Sequence, residues 1–254
     1  MTLVVDMEWI LVVLLVALRI AAALVLTPVF ALGGMPARVR MLLVLALAVS
    51  LTSALVVPAP ATALSLSGLL IAAMSELVFG GLLAFGLFTA FAAFQLAGRT
   101  IDLQVGFGVA SLIDPATRTQ APLLGTFLNT LALAVFFAID GHHMVIRGLA
   151  FSLAHLPPGT PLASIDAGAV VAQFGSMFIF ALALAAPVLI VVFLVDIAMA
   201  VMARTMPQVN VFIVSLPLKI LVGLLMLIVS VRFMGPLMER IFENLFTYWQ
   251  QLVS

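Results

Sequence analysis

Hydrophobic positions along this chain fall into six long runs that polar residues scarcely interrupt. They are Trp9–Thr27, Val39–Val57, Gly68–Ala97, Leu123–Ile139, Ala172–Ala203 and Phe212–Met234. A helix crossing a bilayer needs about 20 consecutive apolar residues, and runs of this length without strand-like alternation predict helices. At 1.5 Å per residue the third run would be about 45 Å long and the fifth about 48 Å, against a hydrocarbon core of about 30 Å. Both are too long for one straight crossing. Pro187 lies mid-way along the fifth and should kink it by removing a hydrogen bond to the preceding turn. The third contains Gly80, Gly81 and Gly86, so it is expected to tilt, to extend past the membrane or to break.

The connections are as informative as the runs. Pro28, Gly33, Gly34 and Pro36 make a turn before the second run, and Pro58-Ala59-Pro60 opens another loop. Gly98 to Pro122 is the most polar stretch of the chain. Its glycines and prolines resist a continuous helix. Two readings of it compete: an ordinary cytoplasmic loop, or a segment folded back to line or plug a channel, since irregular backbone at membrane depth is tolerated only when protein or water surrounds it. Gly141 to Asp166 reads as a connection carrying Pro157-Pro158-Gly159 and Pro161. From Pro236 to Ser254 the pattern becomes amphipathic. Leu237, Ile241, Leu245, Trp249 and Leu252 share one helical face, while Glu239, Arg240, Glu243 and Gln250 take the other. Such a helix is expected to dock on an interface or a partner groove.

Composition agrees with this picture. Of 254 residues 65% are hydrophobic and 8% charged, with a mean hydropathy of +1.37, whereas a soluble domain carries about 25% charged residues. The fold expected is therefore an all-α integral membrane protein, one domain over residues 1–254, with about six hydrophobic segments arranged as helical hairpins. Net charge is zero, so there is no electrostatic footprint for nucleic acid. No cysteine is present, which excludes disulfides and thiolate metal sites. Asp6 and Glu8 precede the first run, unlike the basic start of a cleaved signal peptide, so that run reads as a retained helix. If each run crosses once with the N-terminus outside, Arg38, Arg40, Arg99, Arg118 and Arg204 fall inside, and Arg147 and Arg240 outside. Basic residues favour the cytoplasmic side.

Four charges lie within apolar runs: Arg19, Glu76, Asp196 and Lys219. Each costs at least about 2.5–3.5 kcal/mol at a helix centre facing lipid, so each should face protein or water. Pairing between helices or subunits is one reading. A proton or ion relay is the other, and it would make the chain a secondary transporter for a small solute with Glu76 or Asp196 as coupling carboxylate. His142 and His143 are adjacent near Asp140, but a helical metal site favours i and i+4 spacing and no further ligand is in range. Gly106-Phe107-Gly108 lacks the strand and third glycine of a dinucleotide fingerprint. No H-E-x-x-H, G-x-S-x-G or P-loop occurs. No catalytic constellation, metal or cofactor is expected.

Taken in order, Gly98, Asp102, Gln104, Gly106, Asp114, Pro115 and Pro122, then Arg204, Pro207, Gln208, Asn210, Phe212, Pro217 and Lys219, together with Arg19, Pro28, Phe30, Pro36, Arg38, Arg40, Glu76 and Gly80, resemble the FliR family. These are the R-type export-gate proteins of flagellar type III secretion, with T-type relatives in injectisomes. The resemblance implies a non-enzymatic channel subunit in the inner membrane at the flagellar basal body. It implies assembly of one R-type chain with P-type and Q-type subunits, contact with B-type and A-type export components, and unfolded proteins as the passing substrate. It also implies hairpins that need not cross the bilayer as hydropathy suggests, which weakens the crossing count above. Mapped onto this chain, the family's plug covers roughly Gly106 to Pro122, Gly108 included, with Phe107, Ile113, Asp114 and Pro115 obstructing the pore. Arg204, Gln208 and Lys219 become contacts to neighbouring subunits.

Overall fold

The computed structural model describes residues 7–25, 27, 36–55, 58, 65–107, 122–160, 165–206, 208 and 210–253. These form seven α-helices, and no strand occurs among the described residues. They are α1 (Met7–Val25), α2 (Ala37–Leu55), α3 (Leu66–Val105), α4 (Leu123–Ala138), α5 (Gly141–His155), α6 (Ala167–Thr205) and α7 (Val211–Val253). Five are long and apolar enough to cross a membrane, or up to six if α4 and α5 together count as one span.

Several expectations change here. Of the outcomes left open for the third run, a break is the one that falls away: α3 is one helix of 40 residues. It continues through Gly98 to Val105, so the polar stretch begins as helix. Isolated glycines lower helix propensity by only about 1 kcal/mol each, and packing around Gly98 outweighs that. The fifth run is likewise one helix of 39 residues with Pro187 inside it. The stretch from Gly141, read as a connection, contains α5. The apolar period of α5 (Val145, Leu149, Leu153, all buried) was masked by its histidines and by the prolines that follow. α4 and α5 are separated by Ile139 and Asp140, and the Asp140 φ of 57° and ψ of 31° are left-handed. Aspartate is among the few residues that accept this conformation readily. The amphipathic tail is not a separate helix either, because α7 runs unbroken through Pro217 and Pro236.

The chain divides into two compact units. The first comprises residues 1–89, 140–174 and 243–254. Its core is built by α1 against α3, held at Gly80, where an added Cβ would strike the Arg19 carbonyl and the Ala22 side chain. The amphipathic face of the tail packs here. Tyr248 donates to the Leu82 carbonyl at 3.2 Å, and Trp249 Nε1 to the Leu83 carbonyl at 3.2 Å. The Trp249 ring lies flush on Gly148. The tail thus docks on its own chain, where a partner or a lipid interface was expected. Gln173 donates to Thr89 at 2.9 Å and accepts from Asn244 at 2.9 Å, so a buried polar chain ties three helices together.

The second unit comprises residues 90–139 and 175–242. Four rings fill its core: Phe91, Phe94, Phe136 and Phe242, with centroids 5.4–5.9 Å apart. Such offset and edge contacts add about 0.5–1.5 kcal/mol per pair beyond burial. Outward faces are apolar in both units: Leu42, Ile71 and Val171 are exposed in the first, and Ile179, Phe193, Ile228 and Phe233 in the second. Exposed apolar area of this extent on several helices requires a lipid or protein surround, and the protein is membrane-embedded.

Candidate functional site

Two polar constellations stand out. In the first unit, Arg19 is completely buried, an arrangement that hydrophobic α1 tolerates because each of the three guanidinium nitrogens is hydrogen-bonded. Its Nε donates to Glu76 Oε2 at 2.6 Å and its Nη2 to Oε1 at 3.0 Å. This is the bidentate geometry that favours arginine over lysine. Its Nη1 donates to the Ser152 hydroxyl at 3.0 Å and the Ser152 carbonyl at 3.2 Å. The Phe79 ring lies 5.2 Å away. Glu76, also fully buried, accepts a further bond from the Gly159 N–H at 3.2 Å. The pair therefore ties α1, α3 and α5 to the turn after α5. Ser152 was not legible as a participant, because a serine in an undetected helix carries no signal of its own.

In the second unit the residues flanking the polar stretch are held together. α3 ends at Gly106, whose φ of 104° is left-handed and suits only glycine,. A Cβ at this position would also strike Leu216. Four residues earlier, Asp102 is buried. Its carboxylate accepts from the Leu124 N–H at 3.1 Å to each oxygen and from the Gly125 N–H at 3.3 Å. The first N–H groups of a helix have no partner inside it. Pro122, at the N-cap of α4, offers no side-chain oxygen. Asp102 supplies the missing acceptor from another helix and places a negative charge at the positive end of α4. Directly beside it Gly98 meets the backbone of Leu124 and Gly125, an approach that any side chain would prevent. The Asp102 bond is a staple joining the start and end of the segment 106–122.

Of the residues expected to form the plug, Gly106, Phe107 and Pro122 are half-buried at this base. Gly108, Ile113, Asp114 and Pro115 lie outside the described residues. Asp102 was visible only as one position of a pattern. Its capping role depends on α4, whose start at Leu123 cannot be placed against α3 from sequence.

The other buried-run charges also meet. Lys219 on α7 forms an ion pair with Asp196 on α6, and Gln104 Nε2 donates to Asp196 Oδ2 at 3.3 Å. Lys219 therefore has a partner within its own chain. Arg204, in the last turn of α6, and Gln208 after it are exposed. Asp140, His142 and His143, discounted on spacing, are brought together by the structure, with no fourth donor in the group among the described residues. The three donor atoms lie within 4.8 Å of one another, with His143 Nδ1 at 3.4 Å from Asp140 Oδ1. Asp140 and His143 are exposed, and the first turn of a helix is an unfavourable place for a cation.

A family model described as bacterial export proteins, family 1, matches residues 10–245. The flagellar biosynthetic protein FliR of Bacillus subtilis (strain 168) is 36% identical over 178 residues, covering 68% of this chain and 69% of that protein. The protein of the same name from Escherichia coli (strain K12) is 29% identical over 183 residues, covering 72% and 70%. The Yop proteins translocation protein T of Yersinia pestis is 28% identical over 164 residues, covering 63% of each.

Proposed function

The chain belongs to the bacterial export proteins of family 1, and from that premise we propose how its residues serve export. It is a membrane-embedded subunit of the flagellar type III export gate, a component of the secretion apparatus. It sits in the inner membrane at the flagellar basal body, as one copy among P-type and Q-type subunits, next to B-type and A-type components. Unfolded flagellar proteins are what pass. Its part is structural rather than enzymatic.

The observation that carries the gating role is the Asp102 staple at the base of the polar segment. A pore wide enough for a polypeptide must not leak ions, so it needs a constriction that can move. A segment whose ends are fixed can shift as a unit without unravelling the helices on either side. Phe107, Gly108, Ile113, Asp114 and Pro115 are proposed to form that constriction, and Gly106 and Pro122 its fixed ends. Arg204 and Gln208 are proposed to meet neighbouring subunits, since both are exposed polar groups at a helix end.

The transporter reading finds no support. Glu76 is fully buried and bound by Arg19 and Gly159, and Asp196 is paired with Lys219. The test is the mass of the particle purified in mild detergent after co-expression with P-type and Q-type subunits. One large hetero-oligomer holding a single copy of this chain is expected. A stable monomer or homodimer in the presence of those subunits overturns the reading.

A further inference from the structure

A groove of about 410 Å³ runs between α1 and α2 in the first unit. Its walls are apolar: Leu14, Leu18 and Ala21 on α1 face Met41 and Val44 on α2. One polar residue, Arg40, reaches into it. The Arg40 Nε is buried and meets no acceptor among the described residues. That is an expensive arrangement, because a buried donor on a charged group forfeits its hydration without return.

The surroundings sharpen the point. α2 carries Arg38 and Arg40 in its first turn and no acid there. Its whole sequence, Ala37–Leu55, contains no acidic residue. The acid of α1 is Glu8, about 20 Å along the helix axis from Ala21 at 1.5 Å per residue. α5, which also packs on α2, brings Arg147 and no acid. Arg19, the remaining cation of α1, is already neutralised by Glu76. The groove is therefore apolar along its length and, among the described residues, positive at one end without a compensating acid. Basic pockets between membrane helices hold acidic headgroups, and about 300–1,000 Å³ is the size range of a ligand site.

We propose that this groove binds an acidic phospholipid. The phosphate lies against the Arg40 guanidinium at the groove's end, and one acyl chain lies along Leu14, Leu18, Met41 and Val44. A zwitterionic lipid offers the same chain and a phosphate but brings its own cation beside the arginines, so it binds less well. The lipid anchors the α1–α2 hairpin at a fixed depth, with the α2 N-terminus at the headgroup level. This site stands on membrane embedding alone and does not depend on the gating role.

The experiment is native mass spectrometry of the protein purified with its co-expressed partners, or alone if it purifies alone. Phosphatidylglycerol and phosphatidylcholine with identical acyl chains are titrated separately. Wild type is expected to retain one phosphatidylglycerol at about tenfold lower concentration than phosphatidylcholine, a difference of about 1.4 kcal/mol. Arg40→Gln should reduce that preference to within about twofold, and Arg99→Gln, an exposed arginine of the other unit, should leave it intact. Val44→Trp fills the groove and should abolish retention of both lipids. Arg40→Gln alters a half-buried side chain at a helix end, so it keeps the test valid if Val44→Trp does not fold. Equal retention of the two lipids by wild type, or an unchanged preference in Arg40→Gln, overturns the proposal. Displacement of the bound lipid by soluble glycerol phosphate overturns the role of the acyl chain. If Val44→Trp loses its protein partners while still retaining phosphatidylglycerol, the groove belongs to a protein and the proposal fails.

Discussion

Arg19 and Glu76 are joined by two hydrogen bonds, of 2.6 and 3.0 Å, at a point where neither side chain touches solvent. Removing one partner of a buried pair leaves the other charged and unmet, at a cost of about 3–5 kcal/mol. Glu76→Ala should therefore unfold in detergent at markedly lower temperature or denaturant than wild type. The double substitution Arg19→Met with Glu76→Leu should recover most of the loss, because two apolar groups need no partners. Ser152→Ala should cost only about 1 kcal/mol, since the Ser152 carbonyl still accepts from Arg19. Equal losses in all three variants would contradict this hierarchy.

Asp102 acts through the free N–H groups of α4, so its removal should be felt there first. Asp102→Ala is expected to lose about 0.5–2 kcal/mol. Amide exchange at Leu124 and Gly125 should accelerate by up to about tenfold, while exchange at the far end of α4 changes little. Asp102→Asn keeps one acceptor and should fall between. Unchanged exchange at both amides in Asp102→Ala would remove the staple.

Two glycines of α3 make an internal contrast. Gly98 lies against backbone of α4, whereas nothing lies within 4 Å of a Cβ built at Gly81. Gly81→Ala should be neutral or stabilising by up to about 1 kcal/mol, from helix propensity alone. Gly98→Ala forces α3 and α4 apart and should lower folded yield and export. Similar thermal stability of the two variants would show that the close approach at Gly98 is unimportant.

Deleting Asp114 to Gln120 removes most of the proposed constriction and spares its base. The particle should still assemble with P-type and Q-type subunits, and cells carrying it should become permeable to ions. An assembled deletion variant that stays ion-tight would defeat the plug assignment.

Lys219 and Asp196 should show coupling in a double-mutant cycle, about 0.5–3 kcal/mol for groups in direct contact, measured by detergent unfolding of Lys219→Met, Asp196→Leu and the pair. If Asp196 were instead a coupling carboxylate, the pair variant would be stable but would lose pH-driven solute uptake. The structure leads us to expect that the same pair variant, once folded, retains secretion.

The long apolar runs were legible because the bilayer demands continuous hydrophobicity and leaves few other readings. α1, α2 and α4 lie close to where the pattern put them. α5 was not legible, since His142, His143 and Arg147 dilute its apolar period over only 15 residues. The extension of α3 to Val105 was missed for a different reason. Glycine is read as a breaker, but at Gly98 it is there to admit the backbone of Gly125, and only the neighbouring helix reveals that. The buried charges were visible as anomalies in apolar sequence, yet the sequence left open whether they pair or relay.

The sequence by itself determined the solvent of this protein, its helical class and, through ordered motifs from residue 19 to residue 219, its family. Those are properties of composition and local periodicity, which one strand of text contains. Which helices meet was decided only by the tertiary structure. Arg19 finds Glu76 at a separation of 57 residues and Ser152 at 133, and the tail finds α3 at 166. Hydrogen bonds and close packing at such separations depend on three-dimensional placement to a fraction of an ångström, and no periodicity along the chain encodes it.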